Sequence, residues 1–388
     1  MDEKNKVRVT KGEEKDNEEY VDFINYVFGF NGKERSFYKL LPKLFGEGKN
    51  PASTTYFVKD EKDRMLSCVG TFPLPMSICK KSVNAVGFGN VAVHPRERGK
   101  GYMIKAMYAA LDDMVSQGCD LVILSGKRTR YDHFGFEKCG NDAVYALSAK
   151  TMHDRDPDFC PRLEMKPLTR DDSVSLDGIK ELHDRVRKYR FVRDRDRLYD
   201  ILVSWQSVPY VFYMGDRFAG WALVKENRTV TEIVIDPGLS CFKDAVYLLM
   251  RGRSGLDFTV PEHDKDTCDA LFEYAETVYV GADLCFNVLN YEKMLSLLLE
   301  LKSTYESLAD GELTLQINGF AGKETLKITV EKGIPRVEKY SGQPELVLEH
   351  LDALRLFFMH KAPARSTLSP VPRSWLPLPI YVYSADNA

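Results

Sequence analysis

The stretch FGNVAVHPRERGKGYMIKAM, residues 88–107, runs from an apolar strand through a basic, glycine-rich turn into an amphipathic helix. The apolar run at 91–93 predicts the strand, and apolar residues at helical spacing from Met103 to Val115 predict the helix. Gly118 follows in the position of a C-terminal cap. Because the first N–H groups of a helix lack partners and the helix dipole is positive there, the turn is predicted to bind a phosphate.

The two glycines of the turn support that interpretation. Gly99 and Gly101 have no side chain, so the backbone can approach an anion closely. The pattern Arg-x-x-Gly-x-Gly, which begins at Arg96, is weak as a motif alone, but its position between a strand and a helix strengthens it. The alternative is a basic turn that only faces water.

Length and composition limit the class of protein. A chain of 388 residues suggests two to three domains at ~150 residues each. The net charge of −3 argues against a general nucleic-acid binder. Eight cysteines without paired spacing indicate free, mostly buried thiols in a reducing cytoplasm. The N-terminus lacks the apolar core of a signal peptide and no apolar run reaches ~18 residues, so we expect no membrane segment.

The chain divides into three segments, 1–150, 151–285 and 286–388, which predict an α/β (α+β) fold. The first mixes helices and strands, and we expect the strand AVYALSA at 143–149 to close it. The second is predicted to repeat this order, because TVTEIVIDPGLSCFKDAVYLLM at 229–250 again runs from strand through a Pro-Gly turn into a helix. There the arginines are missing and Asp236 would repel a phosphate. The third segment ends in an apolar stretch, WLPLPIYVY, that should be docked on the protein.

The strand, the proline, the Arg-Gly-Lys-Gly turn and the helix together resemble the acetyl-CoA pyrophosphate loop of the GNAT N-acetyltransferases. The spacing from Pro95 favours a register with Arg98, Gly101 and Met103 at the motif positions. Met103 departs from the small residue usual in that family, but it leaves the backbone N–H groups free to bind.

The resemblance implies acetyl-CoA as co-substrate and no metal. It implies that acetyl-CoA contacts three groups of residues. The pantetheine arm would contact Val91, Ala92 and Val93. The pyrophosphate would contact Arg98, Gly99, Lys100, Gly101, Tyr102, Met103 and Ile104, and Gly126 and Lys127 would contact the cofactor beyond the following strand. Phe88 is predicted to line the amine pocket.

Tyr131, in RYDHFGFEKCG, is the second signal. GNAT chains commonly carry a tyrosine about four residues before a Gly-Phe pair near this point. A phenol with a pKa of about 10 can protonate the thiolate that leaves when an amine attacks a thioester. The alternatives are a tyrosine that only packs, and His133 as a rival acid.

A narrower resemblance, to the enhanced intracellular survival (Eis) acetyltransferases, covers nearly the whole chain. It implies two tandem GNAT-like mixed-sheet domains, the second degenerate, followed by a sterol-carrier-protein-like α+β domain whose tail enters the active site. Tyr131 would be the general acid and the α-carboxylate of Ala388 the general base. A free α-carboxylate has a pKa of about 3.3–3.7, so partial burial would have to raise it. The family often ends in a bulky residue, and here the last residue is alanine.

These features predict a cytoplasmic N-acetyltransferase that transfers acetyl directly from acetyl-CoA to a primary amine. The acceptor class implied is a cationic small molecule, aminoglycoside-like or polyamine. Because that family forms hexamers, the resemblance also implies a homo-oligomer. Two alternatives stay open: acetylation of protein lysines or N-termini, and a non-catalytic module that binds acyl-CoA or lipid.

Overall fold

A computed structural model describes residues 7–30, 32 and 35–388. Its strands, in chain order, are β1 (Arg8–Lys11), β2 (Thr55–Lys59), β3 (Met65–Pro73), β4 (Met76–Ile78), β5 (Lys81–Val83), β6 (Ala85–Val93), β7 (Leu121–Ser125), β8 (Glu137–Lys138), β9 (Asp142–Ser148), β10 (Glu164–Pro167), β11 (Tyr189–Phe191), β12 (Ser207–Met214), β13 (Arg217–Lys225), β14 (Thr229–Ile235), β15 (Gly255–Pro261), β16 (Ala275–Gly281), β17 (Leu284–Val288), β18 (Gly311–Gly319), β19 (Gly322–Glu331), β20 (Ile334–Lys339) and β21 (Leu346–Glu349).

The helices of the same residues are α1 (Asn17–Gly29), α2 (Phe37–Leu40), α3 (Pro42–Phe45), α4 (Tyr102–Ser116), α5 (Arg128–Tyr131), α6 (Ala149–Arg155), α7 (Ser173–Val186), α8 (Leu198–Val203), α9 (Phe242–Met250), α10 (Lys265–Phe272), α11 (Tyr291–Ser303), α12 (His350–Phe358) and α13 (Pro370–Ser374). None of the helices in the described residues is long and apolar enough to cross a membrane.

The first large sheet has the order β1-β2-β3-β6-β7-β17-β8. The pair β6–β7 is parallel, and its neighbours are antiparallel. Helix α4 returns the chain from β6 to β7 and buries Ala106, Met107, Ala110, Leu111 and Met114 at helical spacing. Ile104 was expected on that buried face but is 45% exposed. Tyr102 takes the buried position one turn before Ala106 instead.

The second large sheet has the order β10-β12-β13-β14-β15-β9-β16, with β14–β15 as its parallel pair. Position by position it repeats the arrangement of the first sheet. Helix α7 ends at Val186, and the chain continues into β11.

Each large sheet is completed by a strand from the other half of the chain. β9 lies between β15 and β16 of the second sheet, and β17 lies between β7 and β8 of the first. The expectation that the strand at 143–149 closes the first segment is therefore wrong. Both β9 and β17 are short apolar strands that can fill either position, and only long-range packing selects the partner.

Two smaller sheets complete the fold. β11 pairs with β4, which pairs with β5, so the two halves also share a three-stranded sheet. In the third segment the order is β20-β19-β18-β21, covered by α11 and α12. The Nε2 atom of His350, at the start of α12, lies 2.9 Å from the carbonyl oxygen of Gly135 and ties this segment to the first sheet.

The apolar end of the chain is buried, as its composition predicted. Trp375, Leu378, Ile380, Tyr381 and Tyr383 are each at most 4% exposed. The predicted thiols are also found: eight cysteines are free and six of them are buried.

The strand exchange predicts that residues 1–141 do not fold alone. Without β17, strands β7 and β8 lose the strand that joins them and leave open edges. We expect this fragment to aggregate and to show no cooperative thermal transition by circular dichroism. Co-expression with residues 142–388 should recover a soluble complex, whereas a cooperative, monomeric 1–141 fragment would contradict the prediction.

Candidate functional site

The site begins where β6 and β7 separate. Their ladder joins Ala85 to Leu121 and ends with Phe88 opposite Leu124. Beyond Phe88, β6 continues to Val93 in register with β3 alone. The register with β3 shifts between Cys68 and Gly70, opposite Asn90, whose φ is 51°. This bulge bends β6 away from β7 and opens a slot beside Val91, Ala92 and Val93.

The loop after β6 leads into α4 with two residues in the left-handed region. Gly99 has a φ of 82° and Gly101, the residue before the helix, a φ of 76°. A Cβ at either position would meet no atom within 4 Å, so backbone conformation is what requires glycine here. Gly101 has no side chain to cap α4, and the helix N-terminus stays available to an anion.

The side chains of this loop divide between solvent and core. Arg98 and Lys100 are exposed, with the Arg98 guanidinium 5.9 Å from the Phe30 ring and Lys100 Nζ 2.8 Å from Glu97. Tyr102 and Met103 pack on the core beneath the helix, and offer the loop only their backbone N–H groups. The structure thus places the residues 98–104 around one helix N-terminus, and Met103 does not obstruct it.

Gly126 and Lys127 lie at the end of β7, on the other side of the slot. A Cβ on Gly126 would lie 2.3 Å from Cε2 of Tyr131, so only glycine lets the tyrosine ring pack there. Lys127 is exposed and precedes α5, the single turn that ends with Tyr131.

Tyr131 is buried in one cluster with Phe88 and Phe136. Its ring centroid lies 6.5 Å from that of Phe136, which lies 6.0 Å from that of Phe88. Burial raises the pKa of the Tyr131 phenol, against a smaller opposing effect of Arg130. The phenol therefore stays protonated near neutral pH and can donate a proton.

The turn that carries Tyr131 is fixed by a buried carboxylate. Glu137 accepts hydrogen bonds from Arg128 in α5 and from Arg355 in α12, at 2.8 Å and 2.6 Å. These cations keep the pKa of Glu137 below its usual value despite burial. His133, the rival acid of the sequence analysis, lies on the surface with about half of its side chain exposed.

The last residue of the chain lies against β6 at the mouth of the slot. A Cβ on Gly89 would lie 3.3 Å from the carboxyl carbon of Ala388 and 3.5 Å from a carboxyl oxygen. A Cβ on Gly87 would lie 2.7 Å from Cβ of Ala388. The two glycines of the GFG sequence thus make room for the chain end.

The chain end and Tyr131 lie on opposite faces of β6. Side chains alternate along a strand, so Phe88 points away from the face of Gly87 and Gly89. Phe88 belongs to the cluster of Tyr131, whereas Ala388 belongs to the cluster that contains α1. Phe88 is 2% exposed, and its contact with a substrate remains a prediction.

The tail is fixed by residues that the sequence analysis did not single out. Lys43 Nζ donates to the carbonyl oxygens of Ala385 and Asn387, at 2.7 Å and 2.6 Å. Trp205 Nε1 donates to the same Asn387 oxygen at 2.9 Å. These partners are more than 180 residues away in the chain, and no local pattern marks them.

Arg193 binds the tail through a carboxylate. Its guanidinium is fully buried and donates to both oxygens of Asp386, at 2.9 Å and 2.8 Å. It also donates to both oxygens of Glu232 on β14, at 2.8 Å each. A cation between two carboxylates thus attaches the chain end to the second sheet.

The comparisons with known proteins follow this geometry. The family model for the acetyltransferase (GNAT) domain matches residues 8–139. Residues 8–139 are a GNAT domain. The family predicted from the loop at 94–101 is thereby confirmed for this part of the chain.

Solved structures share the fold over most of the chain. A probable N-acyltransferase of unknown function from Enterococcus faecalis V583 gives a TM-score of 0.64 at 19% identity, over 91% of this chain and 90% of its own. A GCN5-related N-acetyltransferase from Anabaena variabilis gives 0.64 at 14% identity, over 91% and 90%. Eis1 from Mycobacterium abscessus gives 0.59 at 12% identity, over 90% and 88%. A search of curated proteins finds no match.

Removing the buried Arg193 should destabilise the protein strongly. Arg193→Met leaves Asp386 buried without its partner, and the expected loss is about 3–5 kcal/mol in the free energy of unfolding. The double variant Arg193→Met with Asp386→Asn should lose less free energy of unfolding. Its charges stay balanced, because Glu232 keeps Arg187 as a partner at 3.2 Å. Urea unfolding of both variants checks this, and equal losses would contradict it.

Lys43 gives a pH-dependent prediction. Burial lowers the pKa of its amine from 10.5 to about 7, although Asp386 opposes the shift. Between these values the unfolded chain binds more protons, so stability should rise with pH. Relative to Lys43→Met, the wild type should gain up to about 1.4 kcal/mol per pH unit above pH 7 in urea unfolding. A difference in stability between the wild type and Lys43→Met that does not change with pH would contradict this. Lys100→Met, which removes an exposed lysine, is the control.

Proposed function

We propose that the protein is an N-acetyltransferase that moves the acetyl group of acetyl-CoA directly to a primary amine. The observation that carries the proposal is the position of the Ala388 carboxylate at Gly89, where β6 and β7 separate. Tyr131 lies behind the same strand, on the face of Phe88. A base on one face of the slot and an acid on the other is what transfer between two bound substrates requires.

The residues of the GNAT domain fit acetyl-CoA. The backbone at Val91–Val93 would hold the pantetheine arm, and residues 98–104 the pyrophosphate at the N-terminus of α4. Gly126 and Lys127 close the opposite side. When bound, acetyl-CoA supplies the acetyl group and a thiolate as leaving group.

In the proposed reaction the Ala388 carboxylate removes a proton from the neutral acceptor amine as its nitrogen attacks. The amine nitrogen forms a bond to the acetyl carbon, and the bond from that carbon to sulfur breaks. Tyr131 donates its phenolic proton to the thiolate, so coenzyme A leaves as the thiol. The products are the acetamide and coenzyme A, and no covalent enzyme intermediate is needed.

A cationic small molecule is the proposed acceptor. A cavity of about 400 Å³ lies on the α1 side of β6, and its walls carry Glu19, Asp22 and Glu97. Tyr26 in the same wall stacks on His94, the residue after β6, at 5.5 Å. The lining also holds one cation, Arg64, and Glu97 is paired with Lys100 outside it. The three carboxylates outnumber that cation, and with the aromatic rings they favour an amine that carries positive charge.

The arrangement of domains is proposed with the function. The GNAT domain would be followed by a degenerate second unit in which the loop is DPGLS. There Asp236 accepts a hydrogen bond from Gly238 N at 3.0 Å and lies beside Arg185 and Arg217. The third unit, sterol-carrier-like in the Eis resemblance, would serve to deliver the tail.

The test is release of coenzyme A from acetyl-CoA in the presence of polyamines, aminoglycosides and lysine peptides. Appending Gly-Ser after Ala388 moves the carboxylate away from Gly89, and we expect a loss of about 100-fold or more in kcat. Tyr131→Phe keeps the ring against Gly126 and removes the proton, and we expect a comparable loss with an unchanged KM for acetyl-CoA.

Two controls separate these effects from general damage. Inserting Gly-Ser between Gly215 and Asp216, in the exposed turn between β12 and β13, should leave the rate unchanged. Tyr108→Phe removes a neighbouring, 41% exposed phenol and should also be neutral. Turnover that ignores the C-terminal extension would reject Ala388 as the base. No turnover with any amine, with acetyl-CoA still bound, would reject the enzyme and favour a binding module.

A further inference from the structure

Strand β6 exchanges the residues that it bonds to β3 part-way along its length. At its start the N–H of Leu74, just after β3, donates to the carbonyl oxygen of Ala85 at 2.8 Å. At its end the N–H of His94 donates to the carbonyl oxygen of Leu66 at 2.9 Å. Hydrogen-bonded residues alternate along an antiparallel pair. The residues of β6 that bond to β3 are therefore odd-numbered before the bulge at Asn90 and even-numbered after it.

The side chains of β6 show the same reversal. Phe88 packs on the face of β6 that lies away from α1, and regular alternation would place Ala92 on that face too. Ala92 packs with α1 instead, and Val91 takes the face of Phe88. Because of the extra residue Asn90, the backbone groups of Val91 and Val93 point away from β3 and into the slot. Without it, the odd-numbered residues would stay bonded to β3.

The extra residue is tied to α1 by its side chain. The Nδ2 atom of Asn90 donates to the phenol oxygen of Tyr20 at 3.1 Å. Tyr20 lies on α1 and has no exposed surface. Its ring packs edge-on against Phe57 at 5.3 Å between centroids, so the phenol oxygen has a fixed position.

The backbone of Asn90 needs this support. Its φ of 51° lies in the left-handed region, which is strained for a residue other than glycine, although asparagine tolerates it better than most. The extra residue of a bulge also lacks its ladder partners. Here the carbonyl oxygen of Asn90 accepts from the thiol of Cys68 at 3.2 Å, while the amide donates to Tyr20. Contacts from β3 and from α1 thus hold the bulge from two sides.

We propose that Asn90 and Tyr20 are positioning residues for the pantetheine arm of coenzyme A. Their hydrogen bond holds the bulge that turns the backbone groups of Val91 and Val93 into the slot. The inference rests on the proposed function, because it concerns the same slot. The bond also links the donor strand to the proposed acceptor side, since Tyr20 follows Glu19, which lines the acidic cavity on α1.

The experiment measures binding of two ligands to the full chain by isothermal titration calorimetry. One is coenzyme A, and the other is 3′-phospho-ADP, the part of coenzyme A that keeps the pyrophosphate and lacks the pantetheine arm. Tyr20→Phe removes the hydroxyl and keeps the ring. Asn90→Gly removes the amide and keeps a residue that adopts this φ without strain. We expect each variant to weaken coenzyme A about three- to tenfold and to leave 3′-phospho-ADP unchanged.

A double variant and two controls make the test specific. If the two residues act through their mutual bond, Tyr20→Phe with Asn90→Gly should weaken coenzyme A no more than the stronger single change. Asn227→Gly replaces another asparagine in the left-handed region, with a φ of 55°, between β13 and β14. Tyr38→Phe removes a phenol of a residue that is 49% exposed. Both controls should bind the two ligands as the wild type does.

Three results would each overturn the inference. They are unchanged binding of coenzyme A in Tyr20→Phe, equal weakening of both ligands, and a double variant whose loss is the product of the two single losses. A wild-type protein that does not bind coenzyme A would reject the proposed function, and this inference with it.

Discussion

The buried guanidinium of Arg193 fixes the position of the last residues of the chain. A cation removed from water is tolerated only when opposite charges and hydrogen bonds replace its hydration, and here Glu232 and Asp386 both do so. Glu232 belongs to the second sheet, while Asp386 lies two residues before the C-terminus. The position of the Ala388 carboxylate in the first unit is therefore set by a residue in the second. The acid–base pair proposed across β6 would depend on that ion pair as much as on β6 itself.

The same dependence between halves appears in the backbone. β9 and β17 complete each other's sheets, and β11 joins the hairpin of β4 and β5. The slot beside β6 is thus supported by a strand encoded nearly 200 residues later. His350 and Arg355 add the third segment to the same wall through Gly135 and Glu137. The site is a product of all three segments, although the GNAT family model covers only 8–139.

The parts that could be predicted from the sequence are those with local causes. The loop 94–101, α4 and the burial of the apolar tail follow from glycine position, helical spacing and composition, whereas Tyr131 was singled out by resemblance to the GNAT family. The strand exchange could not be predicted, because β9 and β17 are similar short strands whose partners are chosen by distant packing. Arg193, Lys43 and Trp205 give no signal, since their partners lie far away in the chain. Gly87 and Gly89 carry a signal that the sequence analysis did not use, because glycines within a strand often mark a close approach by another part of the molecule.

The exchange of β9 and β17 has a consequence for biosynthesis. The ribosome synthesises the chain from the N-terminus. The gap between β7 and β8 of the GNAT domain therefore stays open until residues 284–288 emerge. The catalytic arrangement proposed here is later still, since the ion pair between Arg193 and Asp386 can form only after residue 386 emerges. A product that terminates before this residue would carry the GNAT loop intact and still lack the segment that Lys43 and Arg193 hold. Synthesis of residues 385–388 is thus the step that completes the proposed site.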